Sequence, residues 1–282
     1  MPGRKFLCKK SVRPFFPAFF LFLLWSWLSG APQEIPLEKI IEKASERLFA
    51  ANQDGRWEAL AVSTQTDADR NWRPEKVRQV TRRIRFNEGL VEEEILQAVE
   101  MEKGRTKDIT EEYRRERLEA QRKMREQREK SQAAERGGRR RNSMNLEEVI
   151  PFSQKNRNHY DFFLRGETEV NGEKCYLLEA RAREKKDSLL EGLFYISQNS
   201  FDLKRLELTP SRKPGVLKEF LMRIDLDTWQ DRTVIKKTWI KIHGSFLIKN
   251  IRRIVEEEYS DYRLLESGPE RWRGASSEFQ AA

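Results

Sequence analysis

The sequence predicts an α+β domain in which one curved antiparallel sheet carries a helix over its open side. Three observations predict this class. A one-sided helical stretch lies near the N-terminus, at least seven later stretches read as strands, and turn signals separate those strands without an intervening helix. A charged segment of different composition, residues 105–142, interrupts the strands and is predicted to be a helical insertion.

The first 31 residues predict export. Five basic residues precede the uncharged run Phe15–Leu28, and the small residues Ser29–Ala31 follow it, which is the layout of a signal peptide. The apolar run is shorter than the roughly 20 residues that cross a bilayer as a helix. Pro32 is unfavourable directly after a cut at Ala31, so an uncut N-terminal membrane anchor is the lesser alternative. We expect a protein of the periplasm or cell envelope.

The charge of +9 does not indicate a nucleic-acid partner. The leader is basic, and residues 105–142 carry 14 Lys and Arg against 8 Asp and Glu, so the rest of the chain is close to neutral. Only Cys175 remains once the leader is gone, which excludes an internal disulfide. Cys175 lies in an apolar run and is expected to be a buried thiol.

The N-terminal half is expected to contain one helix, three strands and the insertion. Apolar residues at helical spacing predict a helix over 36–53, and alternation predicts strands at 57–62, 76–86 and 90–101, with a turn at 87–89. Within the insertion, Asp108 or Thr110 can cap a helix over 108–135, whose acid-first pairs four residues apart indicate a solvated face. Contact of this helix with anionic headgroups or with a partner protein is the alternative.

The C-terminal half is predicted to be a meander. The predicted strands are 159–169, 174–183, 190–197, 203–209, 216–228, 234–242 and 246–260. Asn171-Gly172 is a two-residue hairpin signal between the first two of them. Residues 35–265 are therefore expected to form the folded domain, and the polar residues 266–282 a flexible tail.

The sequence does not predict an enzyme, a metal site or a cofactor. The two histidines, His159 and His243, are far apart and show no ligand spacing with Cys175. No phosphate loop or nucleophile elbow occurs. Glu256 and Glu258 share one face of a predicted strand, and we interpret them as a solvated strand end rather than a catalytic pair.

Apolar residues on the strands are the candidate binding surface. A helix of about 18 residues is about 27 Å long and covers only part of so wide a sheet. Either the sheet curls over on itself, or an apolar concave face stays open to an acyl chain, a lipid or a lipoprotein anchor. The candidate residues are Phe162, Leu164, Phe194, Ile196, Phe220, Met222, Ile224, Leu226 and Trp239.

Three sections of the sequence resemble one known family. They are the hairpin Tyr160–Glu179, the pair of segments Leu190–Ser197 and Phe201–Glu207, and the ending Tyr259–Arg263. They resemble strand and turn signatures of the outer-membrane lipoprotein-sorting superfamily, the LolA/LolB-like lipoprotein carriers, over roughly residues 35–265. The resemblance implies an incomplete antiparallel barrel with the N-terminal helix in its mouth. The long charged insertion and the loosely matched Lys237–Ile240 favour a divergent branch of that superfamily.

We therefore expect a monomeric, non-enzymatic envelope protein that takes part in lipid or lipoprotein trafficking. It would bind lipid or lipoprotein acyl chains by burying them on the concave face. The alternative is a sensor or scaffold on the same fold that binds an envelope protein through residues 105–142. Neither function involves nucleic acid.

Overall fold

One large antiparallel sheet dominates the computed structural model, which describes residues 35–50, 56–87, 90–134, 150–246 and 249–265. The two helices are α1 (Leu37–Ala50) and α2 (Thr110–Ala134). The strands are β1 (Trp57–Ala68), β2 (Pro74–Asn87), β3 (Leu90–Glu102), β4 (Arg105–Asp108), β5 (Tyr160–Val170), β6 (Glu173–Ala182), β7 (Leu190–Ser197), β8 (Leu203–Pro210), β9 (Leu217–Trp229), β10 (Arg232–Phe246) and β11 (Lys249–Leu264).

The strand order is β4-β3-β2-β1-β11-β10-β9-β8-β7-β6-β5. The sheet is curved and not closed into a barrel, since β4 and β5 are its edges in the described part of the chain. This confirms the predicted fold class. Every predicted strand is present, and Asn171 and Gly172 have φ of 53° and 84°, as the predicted two-residue turn requires. The predicted leader 1–31 and tail 266–282 lie outside the described residues.

The register gives each side chain a face, because directly paired residues of antiparallel strands point to the same side. We call the side that carries Phe194 the inner face and the other the outer face. One row of paired inner-face residues crosses ten strands: Leu164, Leu178, Phe194, Leu206, Ile224, Thr238, Glu257, Ser63, Val80 and Ala98. The inner face is thus apolar from β5 to β9 and becomes polar towards β1.

The core lies on the inner face of β6 to β8. Phe194 and Leu208 are 0% and 1% exposed, and Phe152 places its ring 5.3 Å from that of Phe194. Helix α1 has a fully buried stripe of Ile40, Ile41, Ala44 and Leu48. Arg47 of α1 lies 3.0 Å from Asp202 in the β7–β8 turn, which fixes the helix at that end of the sheet. We infer that the stripe packs on the inner face, because charged side chains occupy the outer one.

Helix α2 packs against the inner face of β2 and β3. Ile109, which precedes the helix, joins Val80, Ile95 and Ala98 in a buried cluster against which Tyr113 packs. The helix also covers the free edge of β3, where the Arg114 guanidinium donates to the Ile95 carbonyl oxygen at 2.7 Å. The predicted helix is therefore confirmed, but its first two turns are docked rather than solvated on all sides.

The outer face of the central strands carries ion pairs between neighbouring strands. Arg205 lies 2.5 Å from Asp225, and Lys241 lies 2.7 Å from Glu219. Half-buried cross-strand pairs of this kind keep that face polar while holding the strands in register. Among the described residues, no helix is both long and apolar enough to cross a membrane.

Candidate functional site

A partly exposed apolar strip lies at the centre of the inner face. It is formed by Phe220, Met222, Ile224, Ile240, Ile242 and Val255, and we call it the central strip. All six side chains are half-buried, whereas Leu206 and Leu208 of β8, which pair with Ile224 and Met222, are almost completely buried. Three adjacent strands make it about 10 Å wide, and the rise of β9 from 220 to 224 makes it about 14 Å long.

Eight of the nine predicted binding residues lie on the inner face. Phe220, Met222 and Ile224 belong to the central strip. Phe194 and Ile196 are fully buried in the core, and Leu226 is 6% exposed. Phe162 and Leu164 lie on the edge strand β5, where Leu164 is 43% exposed. The prediction that these residues bind a ligand stays a prediction, and only the strip residues and those of β5 are accessible.

Trp239 is the exception, and its predicted place on the same face as the other eight residues was wrong. Its pairing partners are Arg223 on β9 and Glu256 on β11, which places it on the outer face. The reason is a β-bulge between Ile235 and Lys237, which shifts the alternation of β10 by one residue. Trp239 therefore lies on the opposite side of the sheet from the central strip.

A network of charged side chains borders the central strip on the side of α2. Arg82 of β2 contacts Glu257 of β11 and approaches Glu93 of β3 at 3.5 Å. Arg117 of α2 lies 2.8 Å from the same Glu93. The side chains of Arg82 and Glu257 are each only 13% exposed. We call these four side chains, Arg82, Glu257, Glu93 and Arg117, the polar wall. The accessible inner face thus combines the apolar central strip with the polar wall, which suits an amphipathic ligand.

The half-buried Tyr259 and the buried Cys175 both have raised pKa values. Burial, followed by the charge of Glu257, raises the pKa of Tyr259 well above the ordinary tyrosine value, so the phenol stays protonated beside the network. Burial also raises the pKa of the Cys175 thiol, which is fully enclosed as the sequence predicted. A protonated, enclosed thiol is a poor nucleophile.

Acidic side chains in the described part of the chain do not assemble a metal site. No group of three or more His, Cys, Asp or Glu residues is arranged there to hold a metal ion. Glu256 and Glu258 share one face, as predicted, and it is the outer one. Both approach Lys237, at 3.9 and 2.8 Å. That contact makes them part of the outer-face ion pairs.

Sequence reasoning missed half of the central strip and all of the polar wall. Ile240, Ile242 and Val255 reach the inner face through the register of β10 and β11. The alternation of Ile240 and Ile242 was visible, but its face could not be assigned without the bulge. Nothing in the local sequence around Arg82 indicates that its partner lies 175 positions further along the chain.

The comparisons identify the family. The model of DUF5686, a family of unknown function, matches residues 95–262, which is more than half of the chain, and the chain belongs to this family. No curated protein is significantly similar to the sequence.

Several solved structures match most of the chain. A LolA superfamily protein from Nitrosomonas europaea is 12% identical with a TM-score of 0.38, covering 83% of this chain and 96% of its own. A putative outer-membrane lipoprotein-sorting domain from Vibrio parahaemolyticus is 14% identical with a TM-score of 0.37, covering 83% and 95%. The Pseudomonas aeruginosa MucA/MucB complex is 11% identical with a TM-score of 0.26, covering 81% of this chain and 100% of its own.

These likenesses carry no conclusion about ligands or partners. The architecture itself, an N-terminal helix followed by an open antiparallel sheet, is the one that the predicted superfamily resemblance implies. The resemblance is confirmed at the level of fold.

Proposed function

We propose that this protein binds the acyl part of a lipid or lipoprotein on the central strip and carries or presents it within the cell envelope. The observation that supports the proposal is the contrast along one row of inner-face residues. Leu208 is 1% exposed, while its neighbours Met222 and Ile240 remain accessible. A continuous, accessible apolar strip inside a curved sheet is the shape in which an acyl chain is shielded from water.

Burial supplies the binding energy in this proposal. Sequestering about 400 Å² of acyl surface at about 25 cal/mol per Å² contributes on the order of 10 kcal/mol before ordering costs. The polar wall at Arg82 and Glu257 would face the polar group of the ligand. Export, predicted from the leader, would place the protein where lipids must cross water between membranes.

The test is a pair of substitutions on one strand. Met222→Glu places a carboxylate in the strip, whereas Leu221→Glu places it one residue away on the outer face, opposite Lys241. Both variants are expressed with export, purified without detergent and extracted for lipid. We expect Met222→Glu to lose lipid at least about tenfold, since only about 1.4 kcal/mol is needed for a factor of ten. Leu221→Glu should retain it.

Circular dichroism of both variants verifies that the sheet is intact. Equal lipid content in Met222→Glu and wild type, with the sheet preserved, would refute the binding site. Loss in both variants would mean that a carboxylate anywhere on β9 disturbs the fold, and Ile240→Glu would then replace Met222→Glu in the comparison.

A second candidate is the predicted partner-binding scaffold, which one observation favours. Leu118 of α2 is 65% exposed, beyond the docked first two turns and among charged neighbours. A photo-crosslinking residue at position 118 should capture a defined envelope protein, and one at the exposed Ala120, on the opposite side of the helix, should capture it less. A variant that loses this crosslink while its lipid content is unchanged would assign partner binding to α2 independently of the strip.

A further inference from the structure

Four aromatic rings form a continuous row at one end of the sheet. Trp57 stacks on Phe86 with ring centres 3.6 Å apart. Tyr262 lies 5.5 Å from Trp57 and 5.8 Å from Trp229. We call these four residues the aromatic rim. All four remain partly exposed, so the row is a surface and not part of the closed core.

The rim is built from strand ends. Trp57 is the first residue of β1, Trp229 the last of β9, and Phe86 and Tyr262 stand just before the ends of β2 and β11. Direct pairing of Trp57 with both Phe86 and Leu264 brings these ends together. Leu264, which is 47% exposed, adds an aliphatic side chain to the same end.

An arginine accompanies each ring. Arg56, Arg85 and Arg263 are adjacent in sequence to Trp57, Phe86 and Tyr262, and Arg232 pairs directly with Trp229. Arg85 and Arg263 both pair with Glu58 and therefore point to the outer face, whereas the paired rings of Trp57 and Phe86 lie on the inner face of the same strand ends. Arg85 and Arg263 share the nearly buried carboxylate of Glu58, at 3.1 and 2.9 Å, and Arg85 also lies 3.7 Å from Glu94.

Acidic side chains do not outnumber these arginines. Asp231 and Asp261, in the β9–β10 turn and at the bulge of β11, are exposed at the same end. With Glu58 and Glu94, they balance the four arginines, so this end of the sheet carries guanidinium groups without a net charge. The end of the sheet therefore presents aromatic rings and guanidinium groups together.

We propose that the aromatic rim is the surface by which this protein rests on a phospholipid bilayer. Tryptophan and tyrosine are enriched at membrane interfaces because one end of each side chain is apolar and the other polar. Arginine donates paired hydrogen bonds to phosphate groups, which lie at the same depth. The combination of both side-chain types at one strand end fits a headgroup layer better than a purely apolar protein contact.

The purpose of the contact rests on the proposed function, because the central strip lies on the sheet whose end the rim forms. With the rim on a bilayer, the strip would begin about 17 Å from the membrane end of β9, the rise from Trp229 to Ile224. Bilayer contact itself does not require the strip to hold lipid, so the two claims can fail separately.

The experiment measures which end of the sheet a bilayer protects. The exported protein is incubated with vesicles of phosphatidylethanolamine and phosphatidylglycerol, and amide hydrogen exchange is followed by mass spectrometry. A position-specific readout is needed because an uncut leader would itself bind vesicles. We expect added protection at residues 57–60 and 260–264, and none in the β1–β2 turn around Asp69 at the opposite end.

A matched pair of variants tests the assignment. Leu264→Glu places a charge at the rim, whereas Val216→Glu places one at the opposite end on a side chain with a similar exposure of 43%. Protection at the rim should disappear in Leu264→Glu and persist in Val216→Glu. Met222→Glu, which empties the strip in the proposed function, should keep the protection.

Three outcomes would overturn the proposal. They are equal protection at both ends, no protection at the rim with lipid still bound to the strip, and rim protection that survives Leu264→Glu. The rim could also be protected in the absence of vesicles. If Leu264→Glu abolished that protection and also halved the mass of the protein measured by light scattering, the rim would instead join two copies of the chain.

Discussion

Arg82 is a largely buried charged side chain whose removal should weaken the domain. Its guanidinium lies between Glu257 on β11 and Glu93 on β3, and Glu93 in turn binds Arg117 on α2. The substitution Arg82→Met keeps most of the side-chain volume but leaves two glutamates in a largely buried position without their shared cation. The loss therefore acts on the joint between α2 and the centre of the sheet.

The expected loss of unfolding free energy depends on how far the side chains of the ion pair are exposed. Removing one partner of a buried ion pair costs about 3–5 kcal/mol. Arg82 and Glu257 are each 13% exposed and Glu93 20%, so some water reaches the pair and the lower end of that range applies. We expect Arg82→Met to lower the free energy of unfolding by about 3 kcal/mol.

Arg122→Met is the matched control. Arg122 pairs with Glu126 on α2 at 3.2 Å, but the two side chains are 82% and 53% exposed. An exposed pair four residues apart on a helix contributes only about 0.3–0.5 kcal/mol. The same chemical change should therefore be nearly silent at position 122.

Urea unfolding followed by circular dichroism and by tryptophan fluorescence measures both variants, and coincident transitions justify a two-state treatment. The double variant Arg82→Met/Glu257→Gln should recover about 1–2 kcal/mol, because the unpaired charge at 257 is removed. A cost below about 1 kcal/mol for Arg82→Met, or one equal to that of Arg122→Met, would refute the reasoning.

Three further predictions concern packing, pH and the sheet edge. Gly192→Ala should destabilise the domain by about 2–3 kcal/mol in urea unfolding, because a Cβ there would lie 1.9 Å from the Glu207 carbonyl oxygen. Gly215→Ala, where a Cβ would meet nothing within 4 Å, should be nearly neutral. Burial raises the pKa of Tyr259, so the stability that its neutral phenol contributes is present below about pH 10 and lost as the pH rises further. Tyr259→Phe should make the decline in unfolding free energy above that pH shallower, and an unchanged slope would contradict the assignment. Arg114→Met removes both donors to the Ile95 carbonyl oxygen and should accelerate amide exchange in the first turns of α2, whereas a change confined to β5 would argue against the docking described.

The strands and their turns were predictable because their signals are local. Alternation of polar and apolar residues located ten of the eleven described strands, although β1 continues six residues beyond its predicted end. It missed the short β4, which lies in the predicted insertion. Asn171-Gly172 adopts the left-handed turn that its composition demands. The break between strands that the sequence predicted at 243–245 was wrong, since β10 continues through Gly244, which pairs with Ile251. Glycine is favoured at this position of the strand because a Cβ there would come within 3.2 Å of the Val216 carbonyl oxygen.

What could not be predicted depends on long-range register. The bulge at Lys236 reverses the face of Trp239, and a bulge has no unique sequence signature. The docking of α2 had a faint signal in Ile109 and Tyr113, two apolar residues four apart at the start of a charged helix. The ring of Phe152 packs 5.3 Å from that of Phe194, and no sequence pattern connects the segment of Phe152 to β7.

Native mass spectrometry of the exported protein, purified without detergent, tests the central claim most directly. The account predicts a mass in excess of the polypeptide that dissociates as fatty acid, phospholipid or lipoprotein anchor, and that is absent from Met222→Glu. A wild-type spectrum that shows only the polypeptide, from cells in which lipid is abundant, would contradict an accessible acyl-binding strip. It would leave partner binding through α2 as the better account of the fold.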